Sequence, residues 1–507
     1  MPQQDHLTAR LVVDDDFEVA PVNNRLFGSF VEHLGRCVYT GIYEPDHPTA
    51  DEHGFRKDVI DLVKELGATT IRYPGGNFVS GYRWEDGIGP KQERPRRLDL
   101  AWHSTETNEF GLHEMAEWLE ATGGNELMEA VNLGTRGLQE ALDLLEYANV
   151  PGGTELSERR RANGADKPFD IRMWCLGNEM DGPWQLGHKS AEDYGMLAAS
   201  VAAGMRQIDP DVELVVCGSS AHGMPTFGKW EAAVLEAAYD SIDYLSLHQY
   251  YMNSEQDTAS YLGATEDMNR FIRAVTATCD YVKGLKRSSK TINLSFDEWN
   301  VWSATHKCSN EEGMWTIAPR REEYSYSMED ALAFGCMLIT LIKNCDRVKI
   351  ACLAQLVNVA GPIMTLDNGP AWAQTTYYPF VHASCYGRGT VIQPKVLCDT
   401  YSTEKYGEIP YVEAVAVWAE EQQELTVFAI NRSLTETVEL ELDLRDFPGY
   451  TPLEHIVQEH ADIHARNTAE NPNNVVPHAN GKTVRRTDRA VAVLNKLSWN
   501  VIRLKKQ

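Results

Sequence analysis

The sequence predicts a (β/α)8 barrel, an α/β fold of the TIM type, followed by an antiparallel, jelly-roll-like β-sandwich. From about residue 26 to residue 355, short apolar or β-branched runs alternate with longer segments of helical periodicity, the mark of repeated β-α units. Beyond about residue 385 the period changes to two, as in Val412-Glu-Ala-Val-Ala-Val-Trp418 and Leu425-Thr-Val-Phe-Ala-Ile430. A length of 507 residues fits this division, because it exceeds the size at which a single hydrophobic core stops growing.

Eight strands are expected at 26–34, 69–73, 128–133, 171–177, 212–218, 244–249, 291–296 and 348–355. Amphipathic helices are expected between them at 55–66, 111–121, 138–147, 191–208, 229–239, 268–285 and 328–343. An open doubly wound sheet would show a similar period, but it needs a Gly-rich phosphate turn after its first strand, and Ser29-Phe30-Val31-Glu32-His33 stands there. The opening segment, 7–19, also reads as extended and is expected to add a strand to the sandwich, while the Asn-rich stretch 460–482 reads as a long loop. The domain organisation is therefore 1–20 as an N-terminal strand of the sandwich, 21–384 as the barrel and 385–507 as the sandwich.

Apolar residues make up 43% and charged residues 24%, the profile of a folded enzyme. With 47 Lys and Arg against 74 Asp and Glu the net charge is −27, a field that repels phosphate backbones and anionic membrane surfaces, so nucleic acid and membrane are excluded as partners. A neutral sugar feels no such penalty. No basic segment followed by an apolar run opens the chain, and no apolar stretch of about 20 residues would span a bilayer. The ten cysteines, at 37, 175, 217, 279, 308, 336, 345, 352, 385 and 398, form no close CxxC pair and read as buried free thiols of a cytoplasmic protein.

In such barrels the reactive groups sit at the C-terminal strand ends. Six of the eight ends carry polar clusters: Glu32-His33, Arg72 to Asn77, Asn178-Glu179, His248 to Tyr251, Asp297 to Asn300, and Gln355 to Asn358. Glu179 on the fourth strand and Glu298 on the seventh lie across the barrel mouth, where glycoside hydrolysis needs two carboxyl groups flanking one bond. Alternation along the strand leaves Asp297 as a rival to Glu298, because parity alone does not say which of the two enters the barrel. Asn178 could equally be a turn residue, Arg72 a partner for a buried acid, and Tyr250 a core aromatic with its hydroxyl at the rim.

Five motifs then carry a resemblance over essentially the whole chain: Phe27-Gly-Ser-Phe-Val-Glu-His33, the stretch from Ile71-Arg-Tyr-Pro-Gly-Gly-Asn77 to Tyr82, Trp174-Cys-Leu-Gly-Asn-Glu-Met180 on to Gln185, Leu247-His-Gln-Tyr-Tyr251 and Phe296-Asp-Glu-Trp-Asn-Val-Trp302. The sequence resembles glycoside hydrolase family 51, the intracellular, exo-acting α-L-arabinofuranosidases.

The resemblance implies a retaining double displacement with Glu298 as nucleophile and Glu179 as general acid/base, Asp297 falling to a supporting role. It also implies an arabinosyl pocket lined by Glu32, Arg72, Asn77, Asn178, Tyr250 and Gln355, and a homo-oligomer, often a hexamer. Trp102, Trp184 and Trp302 are candidates to stack on the sugar or the leaving group, set against simple packing. No cofactor is expected. His33, His103, His113 and His248 lie near strand ends, but without HExxH or a close His/Cys set no metal is expected either.

The substrate class is arabinose-containing oligosaccharides, fragments of arabinan or arabinoxylan. The alternatives are another retaining glycosidase of the same clan, such as an endoglucanase or xylosidase, and a non-catalytic sugar-binding barrel.

Overall fold

The computed structural model describes residues 7–303 and 313–507. Eight parallel strands close into a barrel in chain order: β1 (Gly28–Phe30), β2 (Thr70–Tyr73), β3 (Glu126–Val131), β4 (Met173–Leu176), β5 (Glu213–Val216), β6 (Tyr244–Met252), β7 (Asn293–Trp302) and β8 (Val348–Leu353). Each is followed by a helix that returns over the outside: Lys57–Leu66, Leu112–Ala121, Leu138–Asn149, Ala191–Ile208, Lys229–Ala238, Thr265–Lys286, Met328–Lys343 and Tyr377–Tyr386. The first shows why these segments are helical: Val59, Ile60, Val63 and Leu66 form one buried stripe, and the helix stops at Gly67, whose left-handed φ of 73° costs glycine little.

Four elements, β1, β6, β7 and the eighth helix, differ from the sequence reading. β1 is shorter than 26–34, because a 3-10 turn, Asn24–Phe27, precedes it and the chain leaves the sheet at Val31. β6 and β7 run past 249 and 296, pairing from His248↔Glu298 to Met252↔Trp302, and the polar residues there mask the extension from any apolar pattern. The eighth helix, Tyr377–Tyr386, lacks a clean polar face because it lies between barrel and sandwich, where the Trp499 indole N–H donates to His382 Nδ1 at 3.0 Å.

The sandwich has two sheets. One orders Lys395–Cys398, Leu7–Val12, Val438–Asp443, Arg489–Leu494 and Lys482–Arg485; the other orders Glu18–Pro21, Thr390–Ile392, Val412–Ala419, Glu424–Asn431, Ser498–Lys506 and Tyr450–Gln458. The N-terminal segment thus supplies a strand to each sheet, and Leu7–Val12 pairs parallel with Val438–Asp443, an exception to the antiparallel pattern. The six-stranded sheet is apolar on both faces. Ala414, Ala416, Leu425 and Val427 pack into the sandwich, while Val415, Val417, Phe428 and Trp499 join the barrel's core.

Nearly every residue of Met328–Lys343 is buried, because that helix is wedged between β7 and this sheet. A β-carbon at Gly335 would sit 2.7 Å from the Trp499 ring, so glycine permits the close approach. No disulfide forms among the described cysteines, of which Cys385 is exposed, Cys398 half-buried and the others buried; Cys308 lies outside the described residues. Among the described residues no helix is long and apolar enough to cross a membrane.

The seam between sheet and barrel holds a fully buried ion pair. Arg432 Nη2 lies 3.0 Å from Glu413 Oε2 and 3.0 Å from Thr265 Oγ1, and Lys343 closes on the same carboxylate. Glu413→Ala leaves the Arg432 charge buried without its counter-ion, and is expected to lower the unfolding free energy by about 3–5 kcal/mol in a urea titration. A loss under about 1 kcal/mol would contradict this account of the seam.

Candidate active site

The polar strand ends meet at the C-terminal mouth of the barrel. A β-bulge shapes the site: between Ser246↔Ser295 and His248↔Glu298, β7 advances three residues while β6 advances two, and the β7–β8 register also shifts between Phe296 and Trp299. The extra residue breaks strict alternation, so Asp297 and Glu298, adjacent in sequence, both face the interior. Parity could not rank them, because the strand does not obey parity there.

Glu298 is held through both oxygens. Arg72 Nη1 donates to Oε1 at 2.7 Å and the Tyr250 hydroxyl donates to Oε2 at 2.7 Å. Arg72 Nη2 donates to Asn178 Oδ1 at 2.6 Å, and its guanidinium lies 4.6 Å from the centre of the Phe30 ring. Asp297 turns away toward His248, whose Nε2 meets Oδ1 at 3.0 Å. The other ring nitrogen of His248, Nδ1, lies 2.9 Å from Glu179 Oε1 and 3.5 Å from Glu298 Oε2. The Trp184 indole N–H donates to Glu179 Oε2 at 2.7 Å. One oxygen of Glu179, one of Glu298 and a ring nitrogen of His248 all lie within 4.8 Å of one another.

Above these groups opens a cavity of about 390 Å³, lined among others by Glu32, Asn77, Trp102, Glu179, Trp184, Tyr250, Glu298, Trp302, Glu322 and Gln355. Glu32 is fixed on three sides: Phe78 N–H donates at 2.9 Å, the Trp102 indole at 3.0 Å and the Gln355 amide at 2.9 Å. A β-carbon at Gly76 would meet Glu32 Oε2 at 3.1 Å and Glu298 Oε1 at 3.2 Å, so glycine keeps this floor open. Trp302 stacks on Tyr250 with ring centres 4.7 Å apart. Glu179 takes a positive φ of 44°, just after Gly177 at 90°, a strained turn of the kind that gathers at functional sites.

Burial pushes the Glu32 carboxyl up to about 8, with the charge of Glu298 adding and the Phe78 and Trp102 donors opposing. Burial likewise raises Glu322 to about 7, again with help from Glu298. For His248 burial acts downward, but the charge of Glu298 and the hydrogen bonds to Asp297 and Glu179 outweigh it and lift the imidazole to about 10. His248 is therefore an imidazolium at neutral pH. Both of its ring nitrogens are aimed at carboxylates, and its position between Glu179 and Glu298 resembles a metal-ligand set.

All the candidate residues of the sequence reading converge. Glu32, Asn77, Trp102, Glu179, Trp184, Tyr250, Glu298, Trp302 and Gln355 line the cavity, while Arg72 and Asn178 stand behind it, 1% exposed each, and act through Glu298 and Asn77. His33 is a packed core residue bonded to Glu106 and Tyr73, and His113 bonds the Tyr147 hydroxyl outside the site. His103 meets the edge of the Trp315 ring, away from the cavity. Sequence reasoning missed the central role of His248 and missed Glu322 altogether. The signal for His248 was present, since alternation puts it on the same face as Tyr250. Glu322 comes from a loop with no periodicity.

Two carboxyl groups facing one another in a sugar-sized cavity at the C-terminal mouth of an eight-stranded barrel are the fold and site of a glycoside hydrolase. Residues 62–270 match the family model described as the alpha-L-arabinofuranosidase 1 domain, and residues 297–498 the alpha-L-arabinofuranosidase C-terminal domain. The chain is 61% identical to an exo-alpha-(1→6)-L-arabinofuranosidase of Bifidobacterium longum, covering 98% of this chain and 97% of that one. It is 53% identical to intracellular exo-alpha-(1→5)-L-arabinofuranosidase 1 of Bacillus subtilis, covering 98% and 99%. Among solved structures, a family 51 alpha-L-arabinofuranosidase from Bifidobacterium longum superposes with a TM-score of 0.94 at 46% identity over 98% of this chain and 99% of that one. The chain belongs to the family 51 α-L-arabinofuranosidases.

The raised value of His248 carries a sign that can be measured. Because the folded value, about 10, lies above the ordinary 6.5, its contribution to stability is complete below pH 6.5 and is lost as the pH rises through about 10. Nitrogen-15 NMR of histidine-labelled protein at pH 8 is expected to show one doubly protonated imidazole that disappears in His248→Gln. A neutral ring at that pH would contradict the charge assignment.

Proposed function

We propose that this protein is a retaining exo-α-L-arabinofuranosidase that releases terminal non-reducing arabinofuranosyl residues from arabinose-containing oligosaccharides, with Glu298 as nucleophile and Glu179 as general acid/base. The observation that carries the mechanism is the spacing: oxygens of Glu179 and Glu298 within 4.8 Å of one another match the short separation of retaining enzymes, about 5–5.5 Å, and leave no room for the water that inversion needs, about 6.5–9.5 Å.

Glu298 suits nucleophilic attack because Arg72 and Tyr250 each donate to one of its oxygens and fix the carboxylate at the cavity floor. Its attack on the anomeric carbon forms a glycosyl ester while Glu179 gives its proton to the leaving oxygen. Water, deprotonated by Glu179, then opens the ester with a second inversion, so configuration is retained. Glu32, Asn77, Gln355 and Trp102 surround the sugar hydroxyls in this reading, with Asn178 behind Asn77, and Trp302, backed by Tyr250, offers a flat apolar face. Arg72 acts through Glu298 and Asn178.

The names of the relatives support the arabinofuranosyl substrate, and those from Bacillus subtilis and Halalkalibacterium halodurans, both called intracellular, support a place inside the cell. Residues 21–384 serve as the catalytic barrel in this reading, with 1–20 and 385–507 as the supporting sandwich. A homo-oligomer, hexameric by family resemblance, belongs to it too. Exposed Leu98, Leu100, Met314, Trp315 and Ile317 are apolar surface that a neighbouring copy would cover.

Wild type is expected to release chromophore from an aryl α-L-arabinofuranoside with retention of configuration by proton NMR. Glu298→Ala should show no turnover until azide is added, which then yields the glycosyl azide of inverted configuration. Glu179→Ala should lose about 10²–10⁴-fold on substrates with poor leaving groups and far less on activated aryl ones. A wild type that ignored arabinofuranosides but cleaved a glucoside or xyloside would overturn the substrate assignment. Light scattering should report a multimer; a monomer would remove the oligomer from this reading.

A further inference from the structure

Beside the catalytic cavity lies a second hollow of about 530 Å³ that shares the wall formed by Gln249 and Tyr250. On the β5 side the chain passes from Ser220 and Ala221, which line the catalytic cavity, directly to His222, which lines the hollow. The unusual length of β6, Tyr244–Met252, raises this wall above the barrel mouth. The far side comes from the sandwich, whose hairpin Thr400–Thr403 and Gly407–Pro410 brings Lys405 and Tyr406 to its rim. That hairpin is seated on the barrel: the Tyr401 hydroxyl donates to Ala259 O at 3.0 Å, and Ile409 packs where a β-carbon at Gly263 would meet it at 3.1 Å.

We infer that this hollow is a carbohydrate subsite that holds the leaving-group chain, with Tyr406, Arg270 and His222 as its contacts. The inference rests on the glycosidase reading above. Three observations carry it. His222 is rigidly set, stacked on Phe271 with ring centres 5.1 Å apart and bonded through Nδ1 to Asp267 at 2.8 Å, which leaves Nε2 without a protein partner among the described residues. Arg270 makes no ion pair among the described residues and only reaches Tyr406 O at 3.3 Å, so its guanidinium keeps donors for hydroxyl groups. Tyr406 is half-buried with Lys405 Nζ over its ring, 5.4 Å from the ring centre, so the pair brings an aromatic ring and an ammonium donor to the rim.

A rival hollow of about 730 Å³ lies toward Phe78 and Leu98, and two of its three arginines are already engaged, Arg97 by Asp86 at 2.8 Å and Arg136 by Glu85 at 2.5 Å, which leaves Arg83 without an ion pair among the described residues.

The test compares kinetics on an aryl α-L-arabinofuranoside with kinetics on an α-linked arabinotetraose, using full-length wild type, Tyr406→Ala, Arg270→Ala and Arg97→Ala. For the first two variants kcat/KM on the tetraose should fall about tenfold through a higher KM, while the aryl substrate, which does not reach the hollow, changes by less than about twofold. Retained aryl activity also certifies that the variants fold. Equal losses on both substrates, no loss on either, or a tetraose-specific loss in Arg97→Ala alone would overturn the inference. A wild type inactive on the aryl arabinofuranoside would instead remove the glycosidase reading on which it rests.

Discussion

Three carboxyl groups, Glu179, Asp297 and Glu298, are buried together around two cations, Arg72 and His248, and the rest of the site is arranged to make that tolerable. Ions removed from water without partners cost several kcal/mol each, so every charge here needs a counter-charge and hydrogen bonds. Arg72 and Tyr250 answer Glu298, while His248 bridges all three acids and Trp184 completes Glu179. Burial, with the charge of Glu298 adding to it, pushes the neighbouring carboxyls, Glu32 and Glu322, toward their protonated forms. The cavity is thereby poised to stabilise positive charge, which is what the oxocarbenium-like transition state of glycoside hydrolysis develops at the anomeric carbon.

The scaffold transmits this constraint outward. β6 and β7 carry four of the central groups, His248, Tyr250, Asp297 and Glu298, and the bulge between them lets two consecutive residues face inward. The helix that follows β7 is buried on all sides, because the two-faced sheet of the sandwich covers it. The sandwich is therefore part of the wall that holds β7 in place, and the Glu413–Arg432 pair ties the two together. A barrel alone would leave Met328–Lys343 with an uncovered apolar face.

Much of this was legible in the sequence, for identifiable reasons. Strand and helix periods gave the barrel, since its strands are buried runs and most of its helices have one wet face. Loaded strand ends pointed to Glu32, Arg72, Glu179 and Glu298 because polar residues have little other reason to interrupt such runs. What escaped lay where the local rules fail. Tyr377–Tyr386 turns Tyr378, Val381 and Cys385 outward in place of a polar face, β7 runs on through Asp297, Glu298 and Asn300, and Asp297 and Glu298 share a face only through a bulge that no period announces. His248 looked like one of several strand-end histidines; only the fold brings carboxylates to both of its nitrogens.

The central claim is that Glu298, and not its neighbour Asp297, receives the sugar. Covalent trapping tests it most directly: the enzyme is inactivated with an arabinofuranose-configured epoxide, digested, and the labelled peptide sequenced by mass spectrometry. The account predicts a single adduct as an ester on Glu298. An adduct on Asp297, or inactivation without any ester in the β7 peptide, would contradict it.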